Sequence, residues 1–198
     1  MKTNLEELTW IARVVLARDE KAFERIVDKY QQTVRRFFWV QSGGDAALSD
    51  DLAQETFIKV WQHLSGFKQA AAFSTWLYSV AYRVWLDHCR GEKDNISLDD
   101  EQCSLQIEIS PFVSPPEHAD VAVEASDCRE QIQHALARLS EHERVCITLF
   151  YLEELSIRDI SRITHMNESL IKVCLHRGRQ HLRLLLAHPF SPFNPAEK

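Results

Sequence analysis

The chain has 198 residues, of which 45% are hydrophobic and 26% charged, the balance of a soluble globular protein with one domain or two small ones. Its net charge is −6 and its five cysteines stand singly, which excludes a uniformly basic nucleic-acid binder and a disulfide framework, and points to a reducing cytosol. No apolar run approaches the ~20 residues that span a bilayer, and MKTNLEELTW carries acids rather than an apolar signal core, so neither membrane insertion nor secretion is expected.

Helical spacing dominates the first half. Leu5–Leu16 reads as one helix. Asp19 is placed to cap a second, with Phe23, Ile26, Val27, Tyr30, Val34 and Phe37 along its inner side until Gly43-Gly44 breaks it. A third helix starts at Asp45 or Ser49 and runs to Leu64. Leu52, Ala53, Thr56, Phe57, Val60, Trp61 and Leu64 form its inner stripe; Asp50, Asp51, Gln54, Glu55 and Lys59 form the other side. Gly66 ends it. Ser74 or Thr75 is placed to cap a fourth helix that reaches about Cys89, with Leu77, Val80, Ala81, Val84 and His88 buried. Trp76, Tyr78, Tyr82, Arg83 and Trp85 then fall on flanks and exposed surface, either as a tight core edge or as a platform for stacking unpaired bases.

The character changes after Arg90. Eleven acids and two bases fall within residues 92–130, a local charge of −9, and prolines accumulate at 111, 115 and 116. Low apolar density and like charge mark residues 93–125 as a linker. The second domain begins at Ser126 or Asp127, where Ile132, Leu136 and Leu139 mark one helix. Ser140 caps the next, with Val145, Cys146, Leu149, Phe150 and Leu152 facing inward.

Residues 156–183 then read as a short helix, a tight turn and a longer helix. Ser156 and Asp159 make an S-x-x-D capping box, Thr164–Asn167 is the turn, and Asn167 caps the second helix. Ile171, Leu175, Gly178 and Leu182 mark that helix's buried face; Lys172, His176, Arg177, Arg179 and Arg183 lie opposite, with Val173 and Cys174 beside them. This segment carries six positive and two negative charges, +4 within an acidic chain, the layout of a DNA-reading helix-turn-helix whose arginines meet phosphates. The three-proline tail, residues 188–198, is expected to be loose. The expected fold is all-α: a helical bundle over residues 1–92, the acidic linker over 93–125, and the helix-turn-helix domain over 126–187.

Strings in both halves resemble the extracytoplasmic-function (ECF) sigma factors of bacterial RNA polymerase. In the first half these are DLAQETFIKVW at residues 51–61 and FSTWLYSVAYRVWLDHCR at residues 73–90. The second half supplies LARLSEHERVCITLFYLEELSIRDIS and IKVCLHRGRQHL. The resemblance implies that residues 1–92 are sigma region 2 and residues 126–187 sigma region 4. It implies that Asp51, Gln54, Glu55, Phe57 and Lys59 lie on or near a surface that grips core polymerase, and that Trp76, Tyr78, Arg83 and Arg90 lie at the −10 element. Lys172, Val173, His176, Arg177 and Arg179 would face the −35 element. The partners implied are core RNA polymerase, promoter DNA and an inhibitory anti-sigma factor. The acidic linker would run toward the RNA exit path. The reading from the helix-turn-helix alone is a stand-alone DNA-binding regulator, which has no need of the residue 51–61 surface.

This sequence departs from the family's usual pattern at several places. Arg83 stands for asparagine, Glu154 for a helix-closing glycine and Gly178 for alanine, and the recognition helix reads Leu170-Ile171-Lys172-Val173-Cys174. No phosphate-cradling loop, nucleophile motif or metal-ligand spacing is present in the sequence, so no catalytic residue, metal or cofactor is expected.

Overall fold

The computed structural model describes residues 5–68, 71–96 and 125–187, and these form helices and turns without strands. The element order is α1 (Leu5–Ala17), α2 (Glu20–Gln41), α3 (Ala46–His63), α4 (Phe73–Ile96), α5 (Ala125–Ala137), α6 (Glu141–Ile147), α7 (Ile157–Thr164) and α8 (Glu168–Ala187). The central part of the acidic linker and the proline-rich tail lie outside the described residues.

Caps decide most of the boundaries. Asp19 accepts from the Ala22 amide at 3.1 Å and opens α2; that amide, with Arg13 beside it, holds the carboxyl below the usual range. At the start of α3 the choice between Asp45 and Ser49 falls to Asp45, which accepts from the Leu48 amide at 2.9 Å. Ser49 is buried one turn further in, its hydroxyl on the Asp45 carbonyl. The expectation for α4 needs correction. It starts at Phe73 and reaches Ile96, and Ser74 and Thr75 are buried with hydroxyls that find no partner among the described residues, so neither acts as the cap. Gly43 and Gly44 have φ of +72° and +102°, the left-handed turn that glycine enters without a Cβ penalty.

The N-terminal half packs α1 on α2, α2 on α3 and α3 on α4. Ile26, Val34, Phe37 and Phe38 from α2 meet Val60, Phe73 and Leu77 in one core. The Glu7 carboxylate of α1 is buried but takes Lys29 Nζ at 2.8 Å and the Tyr30 hydroxyl, so its charge is compensated rather than stranded. In the C-terminal half, α6 and α8 cross closely over Val145, Ile147, Ile171 and Leu175. A π-turn over Thr148–Leu152 extends α6. Ile132 and Leu152, expected inside, are exposed.

Two positions in this half explain departures noted in the sequence. A Cβ on Gly178 would come within 2.9 Å of Ile147 Cγ1, so the glycine permits the α6–α8 approach. Gly178→Ala is expected to lower stability by about 1–2 kcal/mol through overpacking. In an Ile147→Ala background the same change should stabilise, by about 1 kcal/mol of helix propensity. A denaturant double-mutant cycle reads that reversal of sign. Glu154 sits at φ +52° after the π-turn and is solvent-exposed. Glu154→Gly relieves a left-handed non-glycine residue and should raise stability by about 1 kcal/mol, a thermal midpoint about 2–4 °C higher for a chain of this size.

The two halves also touch. α4 packs against α7, and α2 against α5 and α6. This second layer covers a flank of α4 that helical spacing left open, and Tyr78, Tyr82 and Trp85 are buried as a result.

Candidate functional site

Three surfaces carry the candidate residues. On α3, Asp51, Gln54 and Glu55 are exposed along one face. Lys59 is half-buried and bridges Glu55 at 2.8 Å and Asp87 of α4 at 3.5 Å. Its hydrogen bond to Glu55 raises its pKa, so it ties α3 to α4 with its charge neutralised. Phe57 belongs to the inner stripe, as its spacing implied: its ring is buried in the core. It also lines a groove of about 500 Å³ between α2 and α3, with Phe23, Val27, Ile58 and Trp61 as apolar walls. The Arg35–Asp50 ion pair closes one rim. The groove escapes sequence reading because its walls come from two helices; exposed Ile58, on the polar side of α3, is the one local signal.

On α4, Arg83 and Arg90 are exposed, and Arg90 lies 3.4 Å from Asp87. Trp76 is half-buried at an edge, its ring 5.8 Å from Phe67 and 5.7 Å from Phe73. Tyr78 lies at a core edge, one of the two placements its position allowed. It is 2% exposed, and its hydroxyl donates to Glu153 of the C-terminal half. Burial, with the Glu153 carboxylate next, pushes the phenol far above its ordinary range. In this arrangement Tyr78 is covered, and the reason is the layer supplied by α7 and the π-turn.

The helix-turn-helix is built as its local signals require. Ser156 Oγ accepts from the Asp159 amide at 3.1 Å and donates to its carboxylate at 2.6 Å. His165 turns the chain at φ +60°, and Asn167 Oδ1 accepts from the Leu170 amide at 2.7 Å. α8 then presents Lys172, Val173, His176, Arg177 and Arg179 to solvent. Arg179 Nη1 donates to the Tyr151 hydroxyl at 3.2 Å. Val173 is 43% exposed, an apolar spot within a basic face. Cys174 moves to the other side: it is buried beside Ile171 and Leu175, because the α6 crossing covers that edge of the helix. There it interacts with Cys146, whose thiol burial pushes up to about 12. Both are poor nucleophiles. His165 is exposed on the turn while both thiols are interior. Among the described residues no group of three His, Cys, Asp or Glu side chains is placed to hold a metal ion.

Comparison with known proteins follows the same division. Residues 26–94 match the family model for Sigma-70 region 2, and residues 129–182 match that for Sigma-70, region 4. The chain is 32% identical to the ECF RNA polymerase sigma factor SigW of Bacillus subtilis, over 83% of this chain and 89% of that one. It is 27% identical to SigM of the same organism, over 82% and 93%. The fold is similar to the sigma factor RpoE solved with the anti-sigma factor NepR from Bartonella quintana, with a TM-score of 0.63 and 21% identity over 84% of this chain and 97% of that one. It is also similar to CnrH solved with the cytosolic domain of CnrY, with a TM-score of 0.61 and 16% identity over 91% and 97%. With both regions present in order, and an exposed basic recognition helix behind a four-helix bundle, the chain belongs to the ECF sigma factors, which direct transcription initiation by bacterial RNA polymerase.

Proposed function

We propose that the work is divided between the two halves. Residues 1–92 dock on core polymerase through Asp51, Gln54 and Glu55, with Phe57 and Lys59 shaping that surface from below. The same unit holds the −10 element through Trp76, Arg83 and Arg90, with Tyr78 joining once it is uncovered. Residues 126–187 read the −35 element with Lys172, Val173, His176, Arg177 and Arg179. The basic residues meet phosphates, and Val173 is suited to a thymine methyl. Residues 93–125 are the acidic connection, and residues 188–198 a tail.

One observation carries this reading: a single chain presents an exposed acidic face on α3 and an exposed basic face on α8. A stand-alone DNA-binding regulator has no use for the first. The factor acts by binding and positioning rather than by catalysis of its own, and it works in the cytoplasm; no described helix is long and apolar enough to cross a membrane. The structural relative RpoE was solved with an anti-sigma factor, and an inhibitor of that class is the expected regulatory partner here. Runoff transcription with core polymerase on a matched promoter is the test. Transcripts should appear only when this chain is added; polymerase binding without transcripts would instead mark a decoy.

A further inference from the structure

The contact between the two halves centres on one buried acid. Glu153, at the end of the π-turn, is 8% exposed. Its carboxylate accepts from Arg36 Nε at 3.1 Å and Nη2 at 2.8 Å, and from the Tyr78 hydroxyl. Arg36 Nη2 also reaches the Leu152 carbonyl at 2.8 Å. These donors come from α2 and α4 of the other half. The carboxylate is buried while the Arg36 side chain stays 45% exposed; charge-assisted bonds are strong, and the buried acid depends on these donors to offset its desolvation. Around this node the seam is poorly finished. Gln41 Nε2 donates to Thr148 Oγ1 at 3.2 Å and Gln133 Nε2 to the Trp39 carbonyl at 3.0 Å. Yet Gln41 Oε1 and Gln133 Oε1 are buried without a partner among the described residues. Half-satisfied polar groups make a contact that water can reclaim.

The closed contact conflicts with the task. By their numbering, positions −35 and −10 are 25 base pairs apart, about 85 Å at about 3.4 Å per pair. Here α4 and α7 touch directly. The chain allows separation: 28 residues lie between Ile96 and Ala125, and that length fully extended reaches at most about 100 Å.

We propose that Glu153, gripped by Arg36 and Tyr78, is an autoinhibitory latch that holds the free protein closed, hides Tyr78, and must release before both promoter elements are engaged. The proposal rests on the division of work given above. Its test uses the full chain in two variants. Glu153→Gln keeps the side chain's size and removes its charge. Gly43→Cys with Ala137→Cys bridges the same seam, where an ideal Cβ on Gly43 lies 3.8 Å from Ala137 Cβ, a normal disulfide separation. Gly43 has φ +72°, so the cysteine there is strained, and the reduced form of the same protein serves as its control. Mass spectrometry confirms which thiols are joined. With Glu153→Gln, amide exchange in peptides containing Tyr78 and Glu153 should rise at least tenfold while the Phe37–Phe38 core stays protected. Runoff transcripts at limiting factor should rise several-fold. The cross-linked variant should lose its transcripts and regain them on reduction. Unchanged exchange in Glu153→Gln, or a cross-linked protein as active as its reduced form, overturns the latch. If the wild-type chain gives no transcripts and no polymerase binding, the sigma reading and the inhibitory role fall together. The exchange arm then still decides whether the node holds the halves closed.

Discussion

Reversing the charge at Asp51 and Glu55 to arginine is expected to weaken binding to core polymerase by about a hundredfold, equivalent to about 2.7 kcal/mol. Both carboxylates are exposed on one face of α3, so the change alters a potential rather than a core. Glu55 also holds Lys59 at 2.8 Å. An arginine at 55 puts like charges at i and i+4, where they repel, and leaves Lys59 with Asp87 of α4, 3.5 Å away. Charge reversal at a complementary interface acts on both association and fit, which is why the expected loss is large. Stability should move by only about 0.5 kcal/mol per substitution, as for other surface sites. Competition binding against wild-type protein, with circular dichroism to confirm the fold, measures both. Undiminished affinity in a folded double variant removes α3 from the docking surface.

The second large effect is on DNA. Lys172→Ala with Arg177→Ala removes two exposed positive charges from α8. If each meets a phosphate, the slope of log affinity against log salt should fall in magnitude by about 1.8, at about 0.9 per contact on duplex DNA. At physiological salt, holoenzyme affinity for promoter DNA should drop by about one to two orders of magnitude. Val173→Ala should behave differently: a sequence-dependent loss confined to sites with thymine at the contacted position, with the salt slope unchanged. Fluorescence anisotropy across a salt series separates the two behaviours. A double variant with the parent's slope shows that these side chains face solvent rather than the phosphate backbone.

Much of the architecture was legible in the residues because its causes are local. Asp19, Ser156 and Asn167 cap helices at the boundaries their types and positions imply, since a cap is a hydrogen bond across three residues. The 3.6-residue period placed Ile26, Val34, Val60, Leu77, Ile171 and Leu175 inside. The open faces of α3 and α8 followed from the same period.

What the residues left open has a different cause. Helical spacing left Tyr78 between a core edge and a stacking platform and put Cys174 beside the basic face; both are buried, because each helix is covered on a second side by an element remote in the chain. Tyr78 meets Glu153 across 75 residues and Arg36 meets it across 117; no spacing within one helix encodes those encounters. Gly178 reads as a lost methyl until Ile147 is seen pressed against it. The groove behind Phe57 needs both α2 and α3. Helix identity, the caps at Asp19, Ser156 and Asn167, and family membership were therefore determined by the sequence alone, through hydrogen bonds and periodicity that neighbours in the chain satisfy. Which polar and aromatic groups stay open to a partner was decided only by the tertiary structure, because desolvation depends on what is packed above a side chain and not on what precedes it.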